Sequence, residues 1–494
     1  MNETPRKTLF LIMPPLSGLL NGFSSGLISL ANYASKRMPG LDIHVLDLSS
    51  SETDEVRQEL SKRFSNFKDS QIFTGITTTT ASYQSAISVA KIVKDLNPRA
   101  ITILGGHHAG ADAETVLKHH AETVDLVIAG EGERSLLELL KDHSDYSRVP
   151  GAFHYKNGVV VKNAPPIPLN QEELDSIQIT FKSNEIIGTP GKFNHVTYVS
   201  ARGCPLPCAF CAVGNDKIRA KNINVVLNDI SQLLEMGWTQ IAIEDNFFAH
   251  APKRTREICL GLAELKEKKR IDFSWDCQTR VESLARPDTI ELLTKAGCEA
   301  VYIGVESLIP EHLAYLNKAP QPEKYLQKLI DVVIPLLMKS PINCYLNLQV
   351  GIPGETSIHH EKTISVLRDV GEIAARHGKK ITIFPQLHVV YPGTTHYRVG
   401  VAEGRFPKDV FESFTLWEAQ EEPILQWLGE HFAHGTGGVP EGIMKPELLR
   451  ENKFEVDSKA VFRILEIMGK IEKLKGIDVF HYGKYIVPKT KFLK

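Results

Sequence analysis

Short apolar runs alternate with longer amphipathic stretches through the first 145 residues. The runs at Thr8–Met13, Leu41–Leu46, Gln71–Ile76, Ala100–Leu104 and Asp125–Ala129 have the length and apolar content of buried strands. Between them lie stretches near Gly26–Arg37, Glu52–Phe64, Tyr83–Leu96, Ala113–His120 and Arg134–Asp142 whose apolar residues recur at helical spacing. Ile87, Ala90, Val93 and Leu96 make one such stripe. Five strands alternating with helices predict a doubly wound parallel sheet over residues 1–150. Its ligand crevice lies beyond the carboxyl ends of the strands, where Gly75, Gly105-Gly106 and Gly130-Glu131-Gly132-Glu133 fall.

The pattern then changes. GAFHYKNGVVVKNAPPIPLN reads as a hairpin turning at Asn157-Gly158 and running into a proline-rich stretch, so residues 151–190 are assigned as hairpin and linker. A second alternating series occupies residues 191–400, with strand-like runs at Val196–Ser200, Gln240–Ile243, Phe273–Cys277, Ala300–Val305, Cys344–Val350 and Ile381–Val390. Six βα units predict a partial (β/α)6 TIM barrel with its site at the carboxyl ends of the strands. Residues 401–494 hold two helical patterns, PKDVFESFTLWEAQEEPILQWLGEHF and SKAVFRILEIMGKIEKLK, and are expected to form a small, mostly α region.

Charge narrows the function. Fifty-seven Lys and Arg against 59 Asp and Glu leave a net charge of −2, without the basic excess of a nucleic-acid-binding protein. No stretch of about 18 apolar residues occurs, and MNETPRKTLFLIMPP lacks the layout of a signal peptide. No membrane association and a cytoplasmic location are expected. Seven cysteines in 494 residues are too sparse for a disulfide framework.

Three of them are grouped. Cys204, Cys208 and Cys211 stand as CxxxCxxC just after the first strand of the second series. Three thiolates on one short loop suit three irons of a [4Fe–4S] cluster and leave the fourth iron open. A structural zinc site wants four ligands, usually paired CxxC knuckles; no second pair exists, and His195 is the one histidine close by. The remaining Cys259, Cys277, Cys298 and Cys344 are scattered through helix and strand patterns and read as small buried hydrophobes.

CxxxCxxC with Phe210 before its last cysteine, at the end of a first barrel strand, resembles the radical S-adenosylmethionine (SAM) enzymes. In that family the open iron chelates SAM, and an electron from the cluster cleaves it to a 5′-deoxyadenosyl radical. The resemblance implies SAM-binding roles for Phe210, for Glu244, Asp245 and Asn246 after the second strand, and for Arg280, whose guanidinium fork suits a carboxylate. It extends to Glu306 in YIGVES, facing the ribose, and to Gly351 in VGIPGET, near the adenine.

ITILGGHHAG and VDLVIAGEGERSLLELL resemble the Rossmann-like, doubly wound cobalamin-binding domain that precedes many such barrels. The resemblance implies a cobalamin site lined by Pro14, Leu16, Gly18, Thr77, Ser82, Gly105, Gly106, His107, His108, Gly130, Glu131 and Gly132. The nucleotide tail would enter the sheet crevice, with the corrin turned toward the barrel. The family's cobalt-ligating DxHxxG motif is missing, since Asp42-Ile43-His44 lies in a strand without the glycine. No protein imidazole on cobalt is therefore expected.

Substrate-pocket candidates, with barrel packing as the alternative for each, are Trp275, Tyr345, Asn347, Gln349, Gln386, His388 and Tyr391. His388 and Tyr391 are the candidates for catalysis, His388 as a proton acceptor. YPGTTHY, from Tyr391 to Tyr397, resembles the family's sixth-strand exit turn, with Thr395 where proline is common. The resemblance implies a cobalamin-dependent methyltransferase acting on an unactivated carbon of a small molecule or natural-product intermediate, reduced by a flavodoxin or ferredoxin. A radical cyclase or rearrangement enzyme is the rival, and a non-catalytic cobalamin or iron–sulfur sensor a third reading. The absence of further grouped cysteines speaks against the related tRNA methylthiotransferases.

Overall fold

In a computed structural model, the chain is described over residues 6–16, 24–179, 195–413, 438–451 and 453–480, with Phe432 besides. Five parallel strands open the chain: β1 (Lys7–Met13), β2 (Asp42–Asp47), β3 (Gln71–Thr77), β4 (Ile101–Gly105) and β5 (Leu126–Ile128). They stand in the order β2-β1-β3-β4-β5, the doubly wound arrangement whose ligand crevice lies where the order reverses, between β1 and β3. The hairpin β6 (Ala152–Lys156) and β7 (Val159–Lys162) continues this sheet, β6 antiparallel to β5, so the hairpin is an edge of the first domain.

Apolar spacing places the helices. In Tyr83–Leu96 the buried face is Tyr83, Ala86, Val89, Ala90, Ile92 and Val93. Ile87 and Leu96 of the expected stripe sit at its margin, partly buried against the core.

The second sheet carries β8 (Val196–Tyr198), β11 (Gln240–Ile243), β12 (Ser274–Thr279), β13 (Cys298–Glu306), β14 (Asn343–Val350) and β15 (Ile381–Leu387), side by side and parallel in chain order. A short antiparallel ribbon, β9 (Ala201–Arg202) with β10 (Arg219–Ala220), brackets the cysteine loop. The carboxyl-terminal region is more than helical. After the helix Ser458–Ile471, β16 (Ile477–Val479) pairs parallel with β15 and adds a seventh strand. It was illegible in sequence because three residues carry no period.

Alternation sorts the barrel residues. Trp275 faces outward into the helices, 2% exposed, with its indole N–H donating to Ala296 O at 2.9 Å; it packs, and is no pocket residue. One apolar core runs from Leu9 and Leu11 of the first sheet through Val196 and Ile241 of the second, so the two domains share buried surface. No helix among the described residues is long and apolar enough to cross a membrane.

Candidate functional site

The cysteine loop is held from both sides. At its start, the buried Asp245 carboxylate accepts from Ser200 N at 2.6 Å, Ser200 Oγ at 2.5 Å and Ala201 N at 2.8 Å. Asp245, where contact with SAM was expected, thus has its carboxylate bonded to the turn leaving β8. Inside the loop, Asp216 N donates to Cys204 O and Asn215 N to Leu206 O. Gly203 has φ +87°, and a Cβ there would stand 2.5 Å from Lys217 O. From outside, Ala209 N donates to Leu316 O, Asn317 Nδ2 to Pro207 O and His396 N to Ala209 O, at 2.8–3.0 Å.

All three thiols are free. Burial pushes those of Cys208 and Cys211 up, against the opposing pull of Lys318 on both. Among the described residues no three His, Cys, Asp or Glu side chains converge as ligands of one ion. A cube makes a different demand, since each sulfur binds its own iron.

Beside the loop lies a buried charged chain. Lys318 Nζ donates to Glu306 Oε1 at 3.0 Å, Gln349 Nε2 to Glu306 Oε2 at 2.8 Å, and Gln349 Oε1 meets His388 Nδ1 at 2.7 Å. Glu306 stands at φ +71°, where the β13–β14 register shifts. Lys318 escaped the sequence reading because a single lysine after a helix has no motif. Its one local trace was its place as the single charge in the otherwise mostly apolar stretch LAYLNKAP. Arg280 donates to Lys318 O at 2.6 Å, to Glu282 at 3.1 and 3.3 Å, and to Cys208 Sγ at 3.8 Å. All three nitrogens of the guanidinium therefore face protein groups, where a SAM carboxylate was expected. Phe210 is half-buried, its ring 6.0 Å from Lys318 Nζ.

Gly351 has φ +74°, and a Cβ there would meet Leu387, Ile443 and Ile464 at 3.1–3.4 Å. The carboxyl-terminal region closes over it, so it packs against protein. Tyr391 is partly buried, its ring packed beside Gly438.

A cavity of about 810 Å³ separates the two sheets. Thr77, Gly105, Gly106, His107, Gly130, Glu131 and Gly132 line it from the first domain, Glu244 and Asn246 from the barrel. Glu244 reaches solvent within the cavity, and surrounding protein pushes its carboxyl up. Gly105, Gly106, Gly130 and Gly132 keep part of this wall low, which suits close approach of a large flat ligand. The other residues expected around cobalamin lie elsewhere than on this wall, or outside the described residues. His108 is buried, stacked on Tyr83 at 4.1 Å and bonded to Thr80 Oγ1 at 3.1 Å. Ser82 bonds back to Thr79, and Pro14 and Leu16 lie off the cavity. Gly18 lies outside the described residues.

The Glu131 and Glu133 carboxylates clasp the barrel. Arg219 bonds Glu131 at 2.8 and 2.9 Å, while Arg202 meets Glu131 at 3.2 Å and Glu133 at 2.8 Å. Glu131, expected on cobalamin, lines the cavity, and its carboxylate also joins the first domain to the ribbon around the cysteine loop.

A doubly wound domain set against a parallel barrel, with CxxxCxxC at the first strand's end, defines the class as a radical SAM barrel behind a B12-binding domain. Family models agree: a B12 binding domain matches residues 21–140 and the radical SAM superfamily residues 198–367. The chain belongs to the radical SAM enzymes that carry such a domain. It is 28% identical to an uncharacterized methyltransferase of Pyrococcus horikoshii over 80% of this chain and 83% of that one. To the anaerobic magnesium-protoporphyrin IX monomethyl ester cyclase of Rubrivivax gelatinosus it is 27% identical over 60% of this chain, and it spans only 54% of that relative. The solved radical SAM methyltransferase TsrM of Kitasatospora setae shares the fold, with TM-score 0.65 and 15% identity over 81% of this chain and 76% of that one.

Proposed function

We propose that this protein is a cobalamin-dependent radical SAM methyltransferase acting on an unactivated carbon of a small molecule or natural-product intermediate. The observation that carries the reading is the glycine-walled cavity joining the strand ends of the first domain to Glu244 and Asn246 of the barrel, beside the loop of free thiols. The cavity and thiols fit the cofactors: Cys204, Cys208 and Cys211 would hold the cluster, Glu244 and Asn246 the methionine end of SAM, and Thr77, Gly105, Gly106, His107 and Gly130 the corrin. When bound, cluster and SAM supply one-electron cleavage chemistry and the corrin carries a methyl group.

The chain's own residues position and exclude. The Glu131–Arg219 and Glu133–Arg202 pairs fix the corrin-facing wall relative to the cysteine loop, and the shared apolar core packs the two domains together. An acidic small electron-transfer protein of the flavodoxin or ferredoxin type would reduce the cluster, and a reducing cytoplasm would keep the thiols free.

The test is oxygen-free reconstitution with iron, sulfide and hydroxocobalamin, reduction with dithionite, and incubation with methyl-deuterated SAM and candidate small-molecule substrates. Near-stoichiometric iron and sulfide, 5′-deoxyadenosine formation and a deuterated methyl in the product are expected, and all should vanish in the Cys204→Ala, Cys208→Ala, Cys211→Ala triple variant. A product made without the label would favour the cyclase reading, toward which the Rubrivivax relative points.

A further inference from the structure

We propose that Arg280 and the Lys318–Glu306 pair form a charge brace that sets the reduction potential of the cluster held by Cys204, Cys208 and Cys211; this rests on the cluster reading above. Three observations converge. Arg280 Nη1 lies 3.8 Å from Cys208 Sγ, the one side-chain donor to a cysteine sulfur of the loop among the described residues. Its remaining donors are fixed by Lys318 O at 2.6 Å and by Glu282, so the guanidinium cannot swing away without breaking them. Lys318 Nζ faces the same loop, 6.0 Å from the Phe210 ring, and is paired to Glu306 at 3.0 Å.

Burial makes these charges count. Arg280 and Lys318 are each 7% exposed and Glu306 6%, so water and salt screen them weakly. A packed turn also holds them in place. Asn317, next to Lys318, donates to Pro207 O inside the cysteine loop, and Gln349 pins the second Glu306 oxygen.

The physics gives each group a sign. Reduction adds one electron, and hence one negative charge, to the cluster; no bond is made or broken in the protein. A cation donating N–H to a ligand sulfur stabilises the reduced form and moves the potential up, whereas a buried carboxylate moves it down. Arg280 and Glu306 therefore pull in opposite directions on one redox centre.

The experiment uses the full chain, reconstituted anaerobically with iron and sulfide, without SAM, and titrated with dithionite while the reduced cluster is followed by electron paramagnetic resonance. Arg280→Gln is expected to shift the midpoint to more negative potential and Glu306→Gln to more positive, both with parental iron and sulfide content. Arg280→Lys, which keeps the charge but loses the fork, should fall between parent and Arg280→Gln; it replaces the latter if that variant loses iron. Midpoints that stay put, or move in the same direction, in variants with full clusters overturn the inference. A parent protein that takes up no iron and sulfide overturns the underlying reading instead.

Discussion

Glu131 and Arg219 meet in a two-point fork between the domains, Nη1 2.9 Å from Oε2 and Nη2 2.8 Å from Oε1. The same carboxylate accepts Leu169 N at 2.9 Å. Burial would raise its pKa, but Arg219, Arg202 and the Leu169 amide outweigh this and hold it below the usual carboxylate range.

Glu131→Gln is therefore expected to cost about 2 kcal/mol in urea unfolding, since it removes the carboxylate charge from the two-point fork of Arg219, while Arg202 keeps Glu133. A group with a depressed folded pKa gives stability that is present above its unfolded value and lost as pH falls through the folded one. The deficit of the variant should thus be constant from pH 6 to 8 and shrink below about pH 4. Unfolding curves across that range, with cobalamin retention after gel filtration, check it; a deficit that grows on acidification refutes the ion pair.

These carboxylates also show where reading a sequence stops. The GEGE turn was legible as a strand-end feature, and the CxxxCxxC loop and six barrel strands by spacing and period alone. That Glu131 turns away to Arg219 was not, because a partner 88 positions along the chain leaves no local trace. Asp245 was placed correctly after β11, yet its neighbours Glu244 and Asn246 line the cavity while it serves the turn. Adjacent residues at a strand end point opposite ways, and one slip in register exchanges ligand binding for scaffolding.

Asp245→Ala should remove three hydrogen bonds at the entrance to the cysteine loop and leave Ser200 N and Ala201 N without their acceptor. A loss of roughly 3 kcal/mol is expected, together with a fall in iron bound after reconstitution even at temperatures where the variant stays folded. Iron analysis beside circular dichroism tests this. Full iron content would mean that the loop keeps its shape without the carboxylate.

Asp112 predicts a pH dependence of opposite sign. Burial pushes its carboxyl up to about 7, with Glu412 and Asp409 adding to the rise and Thr115 and Lys408 opposing it. The folded state holds this proton more tightly than the unfolded chain, so the Asp112 contribution to stability declines as pH rises from about 4 toward 7 and is flat beyond. Asp112→Asn cannot ionise. Its advantage over the parent should be near zero at pH 4 and grow to at most roughly 4 kcal/mol by pH 8. Urea midpoints at pH 5 and pH 8 read it directly. Equal differences at the two values would show that the carboxyl is already ionised in the fold.

His388 ends the chain that starts at Lys318. Gln349 Nε2 donates to Glu306, so its Oε1 accepts from His388 Nδ1–H; this places the proton on Nδ1 and leaves Nε2 as a lone pair. That Nε2 is buried and has no partner among the described residues. Burial, with smaller pushes from His396 and His312, lowers the imidazole to about 3, so it stays neutral at physiological pH and acts as an acceptor rather than a cation. An orphaned buried acceptor costs on the order of 1–3 kcal/mol, a cost that a ligand O–H or N–H would relieve. His388→Met exchanges this orphan for another, Gln349 Oε1, and should leave stability within about 1 kcal/mol of the parent. If Nε2 receives a ligand donor, the same variant should form 5′-deoxyadenosine at least about tenfold more slowly, the equivalent of ~1.4 kcal/mol, with no displacement of the acid limb of the pH profile. Unfolding curves and anaerobic SAM-cleavage assays on one preparation decide it. A variant that is equally stable and equally active removes His388 from the site and leaves its ring to barrel packing alone.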